Sequence, residues 1–256
     1  ISSLIESPAS GDLNAGKTVT LTVNLNEAVT VAGGTPTLTL DDGGTATYTG
    51  GSGTSALVFS YAVGAGQNTS GLSATAVNLN SATITDGSGK AANLSLSGLT
   101  QSGPQIDTTT PSVSSLVASG TGITAGSGDL NAGKTVTLTL NLSEAVTVAG
   151  GTPALTLNDG GTATYSGGSG SNALTFTYTV GAGQNTSDLT VTAVNLNSAT
   201  VTDGAGNAAN LAGAVTSPSG TLQIDTTTPT VSSVVASGTG ITAGSGDLNA
   251  GKTVTL

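Results

Sequence analysis

Between Val136 and Ser143 apolar and polar residues alternate without a break, Val136, Leu138, Leu140 and Leu142 standing against Thr137, Thr139, Asn141 and Ser143. A period of two puts every second side chain on one face, so this stretch predicts a half-buried β-strand. The same alternation at Val19, Leu21, Val23 and Leu25 predicts another near the start of the chain. Ala154 to Leu157 and Thr162 to Tyr165 flank Asn158-Asp159-Gly160-Gly161, a hairpin signal that Asp41-Asp42-Gly43-Gly44 repeats earlier. Leu174, Phe176, Tyr178 and Val180 alternate in the same way and match Leu57, Phe59, Tyr61 and Val63. Phe59 and Phe176 are the only phenylalanines, which places them at the core centre. After the glycine-rich loop Gly181 to Ser187, a strand is expected from Leu189 to about Thr202, with a bulge where the phase slips near Val194. The loop Asp203-Gly204-Ala205-Gly206-Asn207 follows, a last strand runs toward Gln223 and Ile224, and Val113 to Ala118 forms an opening strand. No stretch carries a helical period.

The pattern comes in copies. Gly11 to Leu21, GDLNAGKTVTL, returns unchanged at Gly128 to Leu138 and at Gly246 to Leu256, offsets of 117 and 118 residues. Ile106 to Pro111, IDTTTP, returns at Ile224 to Pro229. A period of this size suits a whole domain rather than a solenoid turn. The chain therefore divides into a first unit at 1–111, a second at 112–229 and the start of a third at 230–256. About seven strands per unit, with turn signals at regular spacing, predict an all-β fold of tandem antiparallel β-sandwiches with immunoglobulin-like topology. The copies differ in length between Ser119 and Gly128 and between Asn210 and Ile224, both expected turns, where insertions cost little. A partial third copy buries too little to stand alone, and the chain reads as a piece of a longer repetitive protein.

Composition removes most chemistry. Histidine and cysteine are absent, which excludes imidazole and thiolate nucleophile relays and leaves no nitrogen or sulfur metal ligand of the usual kind. The chain is read as non-enzymatic. Adjacent Asp41 and Asp42 do not form a glycosidase pair, since neighbouring residues share a turn or face opposite ways. With net charge −10, four lysines and no arginine, no cationic surface exists for phosphates, so nucleic acid is an unlikely partner. No run approaches 18 apolar residues, so no membrane span is expected. Tryptophan is absent, and Tyr48 and Tyr165 are expected at the rim of the cores rather than as a glycan platform.

What remains is oxygen-rich. Strand order sends the loops after the second and sixth strands of a unit back to the end where the linker enters, which brings Glu144 and Asp203 toward Asp107. Carboxylates converging on a domain junction repel one another unless a cation sits among them, and Asn207 adds a neutral oxygen. Calcium suits such flexible oxygen ligands better than magnesium. The candidate site is thus Asp107, Glu144, Asp203 and Asn207, with Glu27, Asp86 and Asp225 as the corresponding residues of other junctions. The alternative is that Asp203 and Asp225 close turns on their own backbone and Glu144 is a solvated strand-end residue.

Ser143-Glu144-Ala145-Val146-Thr147-Val148, Thr202 to Asn207 and Ile224 to Pro229 resemble the tandem bacterial immunoglobulin-like repeats of very large surface adhesins and biofilm proteins. The likeness covers the whole chain. It implies an extracellular, cell-surface protein of Gram-negative type, often exported by a type I system, in which calcium rigidifies a rod at its junctions. The expected partners are neighbouring repeats of the same chain, and the alternative roles are a module that itself binds a glycan or protein and a filament assembled by strand addition between copies. Leu142 stands where the family commonly has an aromatic residue, and Lys90 where it has asparagine.

Overall fold

The computed structural model describes residues 1–256. The first unit contains β1 (Ser3–Ser7), β2 (Asp12–Leu13), β3 (Thr18–Ala32), β4 (Thr37–Leu40), β5 (Thr45–Gly50), β6 (Thr54–Ala62), β7 (Ala74–Asn78), β8 (Thr83–Thr85) and β9 (Gln105–Ile106). The second repeats them as β10 (Val113–Ser119), β11 (Gly128–Leu130), β12 (Thr135–Ala149), β13 (Ala154–Leu157), β14 (Thr162–Gly167), β15 (Ser171–Thr179), β16 (Val191–Asn195), β17 (Thr200–Thr202) and β18 (Leu222–Ile224), with a 3₁₀ turn at Ala212–Ala214. The protein is all-β: each unit is a sandwich made by one curled antiparallel sheet of seven strands. In the second unit the order is β10-β12-β15-β14-β13-β16, and β17 pairs with the far half of β12. No helix is long and apolar enough to cross a membrane.

Burial follows the alternation. Val136, Leu138, Leu140 and Leu142 point inward from β12 and meet Leu174, Phe176 and Tyr178 of β15. Phe59 and Phe176, 1% and 2% exposed, lie at the core centres as the pattern predicts. Tyr48 and Tyr165 sit half-buried at the rim, each edge-on to its phenylalanine at centroid distances of 5.7 and 5.8 Å. Asp42 and Asp159 accept hydrogen bonds from the buried Tyr61 and Tyr178 hydroxyls, while Asp41 holds Ser73 N and Thr69, so the paired aspartates brace turns. The apolar cores share no residue: one spans Leu4 to Ile106, the other Leu116 to Ile224.

The antiparallel sheet of each unit has the seven strands that the pattern predicts, and short β2 and β9, and likewise β11 and β18, add a small parallel pair at the exit end. One expectation is corrected. Leu189 to Thr202 is not one strand. Asn197 and Ser198 take left-handed φ values of 49° and 67° and end the extended run between β16 and β17. Residues 230–256 form only isolated bridges, such as Ser237 to Thr255, and leave Val231 and Leu256 83% and 82% exposed.

Candidate metal centre

The centre of the molecule is the segment joining the units. On the upstream side β9 ends at Ile106, and Asp107 N donates to the Leu13 carbonyl, setting Asp107 beside the end of β2. Asp107 Oδ1 accepts from Thr109 N at 2.8 Å, and Thr108 N donates to Asn68 Oδ1 at 2.7 Å. These bonds fix the linker's start to the first unit. Downstream, Asn210 N donates to the Pro111 carbonyl and Ser143 N to the Ser112 carbonyl, so the linker's other end is held by the second unit. Two β-branched threonines and a proline follow Thr108, and they keep this connection extended.

Glu144 reaches the same place from the interior of a strand. It does not follow its strand, as the sequence pattern suggested. β12 continues through it for fifteen residues, and pairing with β15 breaks between Asn141 and Val146, where β12 leaves that strand to join β17. Three more residues on β12 than on β15 make an arch there. Glu144 keeps the inward phase of Leu140 and Leu142, yet at the arch the core has ended and the side chain meets the linker end.

Asp203 lies just past β17 in a tight loop. Its Oδ1 accepts from Gly206 N and Asn207 N, both at 2.8 Å, and Gly206 has φ of +94°, which a glycine adopts without strain. Asn207 Nδ2 donates to Asp203 Oδ2 at 2.8 Å and to the Asp107 carbonyl at 2.9 Å. Asn207 therefore offers an amide nitrogen, not the oxygen expected of it, and ties the loop of one unit to the linker of the other.

Asp107, Glu144 and Asp203 each place a carboxylate oxygen within 4.8 Å of the others. Two further groups belong to this centre that sequence reasoning did not assign. Asp12 and Asn14, on either side of Leu13, pack under the Asp203 loop: a Cβ built on Gly204 would lie 3.3 Å from Asp12 Oδ2, and one on Gly206 3.4 Å from Asn14 Nδ2. Asp12 Oδ1 and Asn14 Oδ1 are buried and accept no hydrogen bond. Buried oxygens without donors are uncommon and costly. Burial raises the Asp12 carboxyl above its ordinary range, and the charges of Asp107 and Asp203 raise it further. Burial, then Asp107, Asp203 and Asp12, raises Glu144 in the same way. Unit charges at such separations repel by on the order of 1 to 4 kcal/mol per pair in partly screened surroundings.

These donors are oxygens, four of them carboxylates, drawn from separate loops. That set fits a hard divalent cation, and calcium in particular, which takes six to eight oxygens in irregular geometry. The corresponding residues elsewhere form no group of three carboxylates. Asp225 repeats the bonds of Asp107, its N donating to Leu130 O and its Oδ1 accepting from Thr227 N, but Asp225, Asp129 and Asn131 are exposed at the exit of the second unit. Glu27 and Asp86 face an open cavity at the entrance of the first unit. A signal for Asp12 and Asn14 was present in the repeated GDLNAGK word, whose polar residues return unchanged in each copy although the strand pattern needs only its apolar ones. The chain matches no protein-family model and no curated protein.

Proposed function

We propose that this chain is a non-enzymatic spacer of an extracellular, bacterial cell-surface protein, a stalk of tandem sandwiches whose joints are stiffened by calcium. The observation that carries the reading is the pair of buried, donor-less oxygens of Asp12 and Asn14 beside the Asp107, Glu144 and Asp203 carboxylates. Three of these groups come from the upstream unit and two from the downstream one, so the joint cannot open without separating them. Calcium, when bound, supplies the positive charge that lets the carboxylates stay together. Asp203 is oriented by its own loop N–H groups, Asp107 by Thr109, and Asn207 holds loop and linker in register. Without a cation the same groups repel, and the joint becomes a hinge.

The outer strand faces, rich in threonine, carry no charged or aromatic cluster that marks one unit as the binding copy, which supports spacing over recognition. Length then comes from repetition, each sandwich adding only a few nanometres at ~3.3 Å per strand residue. Calorimetry with calcium alone, together with solution scattering, tests the reading. One ion is expected at this joint, with a stiffer, more extended chain in millimolar calcium than in chelator. Absence of binding up to ~10 mM, above the range of extracellular calcium modules, overturns it.

A further inference from the structure

The entrances of the two units share one loop and differ in two of its side chains, Ser88 against Ala205 and Lys90 against Asn207. Asp86 N donates to the Lys90 carbonyl at 2.9 Å, as Asp203 N does to Asn207 at 3.1 Å. Lys90 N returns a bond to Asp86 Oδ1 at 2.9 Å, as Asn207 N does to Asp203 Oδ1. The Thr85 to Ala91 bridge corresponds to that of Thr202 to Ala208. The backbone path is therefore the same, and besides the Ser88 hydroxyl on Asp86 the difference is the group presented at 90 and 207. At 207 that group is a neutral amide placed between Asp203 and the incoming linker. At 90 it is a lysine, a residue that lines one cavity with Glu27 and Asp86.

The neighbours that act on the carboxylates differ between the first entrance and the middle joint. The Ser88 hydroxyl, the Lys90 N–H and, less strongly, the Lys90 charge hold Asp86 below the usual carboxylate range. At the middle joint Asp12 and Glu144 are pushed above it, partly by neighbouring carboxylates. An ammonium on a flexible four-carbon stem is a compact point charge that can enter a carboxylate cluster much as a bound cation does.

We infer that this loop position sets the cation requirement of a joint. Asn207 leaves the carboxylates of its joint to an external divalent ion, whereas Lys90 supplies the positive charge from the chain, so an entrance built like that of the first unit closes without metal. A stalk with both kinds of joint has fixed links and calcium-gated links in one sequence. The inference rests on the calcium reading of the middle joint.

Transplanting the lysine tests it in the chain itself. Asn207→Lys is expected to lose the calcium bound by the unaltered protein and to show in chelator the extended scattering profile that the unaltered protein shows only in calcium. Asn207→Ala, which removes the amide without adding charge, is expected to bend in chelator. Asn207→Lys that retains the ion, or bends in chelator as Asn207→Ala does, overturns the inference while leaving the calcium reading standing. An unaltered protein that takes no calcium brings down both. Should Asn207→Lys fail to fold, by circular dichroism, Asn207→Arg, which brings the same charge on a different stem, is read by the same calorimetry and scattering, and an ion retained there overturns the inference.

Discussion

Glu6 and Ala118 occupy the same place in the two units, opposite Leu21 and Leu138, and only one of them carries a charge. Glu6 is 5% exposed, its Oε1 has no hydrogen-bond donor, and it packs so closely on Gly103 that a Cβ there would lie 3.2 Å from its Cγ. Asp203, the other buried carboxylate, is held by several N–H donors. Desolvation pushes the Glu6 carboxyl above its ordinary range, with only its own backbone N–H acting against that. A raised acid pKa means the folded state binds the proton more tightly than the unfolded one. Stability of the first unit therefore falls as pH rises from the unfolded value of about 4.3 through the higher folded value, and stays at the lower level beyond it. In calorimetry with chelator present, Glu6→Gln is expected to flatten this decline while leaving the second unit unaffected. An unchanged slope would show that Glu6 is solvated.

At the scale of elements, the strands were legible because threonine and valine or leucine alternate at the period that burial demands. The inward residues of β12 and β15 are those the pattern selects. What it hid were features that depend on a second segment. The parallel pairing of β11 with β18 involves three residues a side and leaves no period to read. Glu144 looked like a strand-end residue because charge usually ends a strand, whereas β12 runs on to pair with β17. The turn between β12 and β13 interlocks with the one between β16 and β17. Asn197 Nδ2 donates to Thr152 O, and a Cβ on Gly151 would fall 2.1 Å from the Asn197 carbonyl and 2.7 Å from Ala199 N. Both obstacles are backbone, so a methyl group there must push the turns apart. Gly151→Ala is expected to destabilise the second unit by about 1–3 kcal/mol, the usual cost of overpacking. Gly87→Ala, where a Cβ meets open space, serves as the control and should change stability by less than ~0.5 kcal/mol in urea unfolding.

At the scale of the whole molecule, each unit carries one set of oxygen-bearing residues at its exit and another at its entrance, and the proposed calcium site needs both. The exit sets Asp12, Asn14, Asp107 and Asp129, Asn131, Asp225 have the same local bonds, yet the first set is half-buried and the second exposed, because only the first has a folded neighbour. This is why the sequence revealed Asp107, Glu144 and Asp203 but not Asp12 and Asn14: their burial is created by a loop nearly two hundred residues away. It also sets how the two cores communicate. With separate cores, the units should melt as two independent transitions in chelator. An ion that needs both sets binds only while both units are folded, so it must raise the midpoint of whichever unit melts first. The size of that effect follows mass action, about 2.7 kcal/mol when calcium is a hundredfold above its dissociation constant. Asp203→Asn keeps an acceptor for the Gly206 and Asn207 N–H groups but loses the bond from Asn207 Nδ2 to Oδ2 and one charge, so in chelator the second unit's transition should fall by about 1 kcal/mol with the first unmoved, while most of the calcium-dependent shift disappears. Differential scanning calorimetry of both proteins, with and without calcium, measures this directly. A full shift in Asp203→Asn would place the stabilising ion somewhere other than the joint.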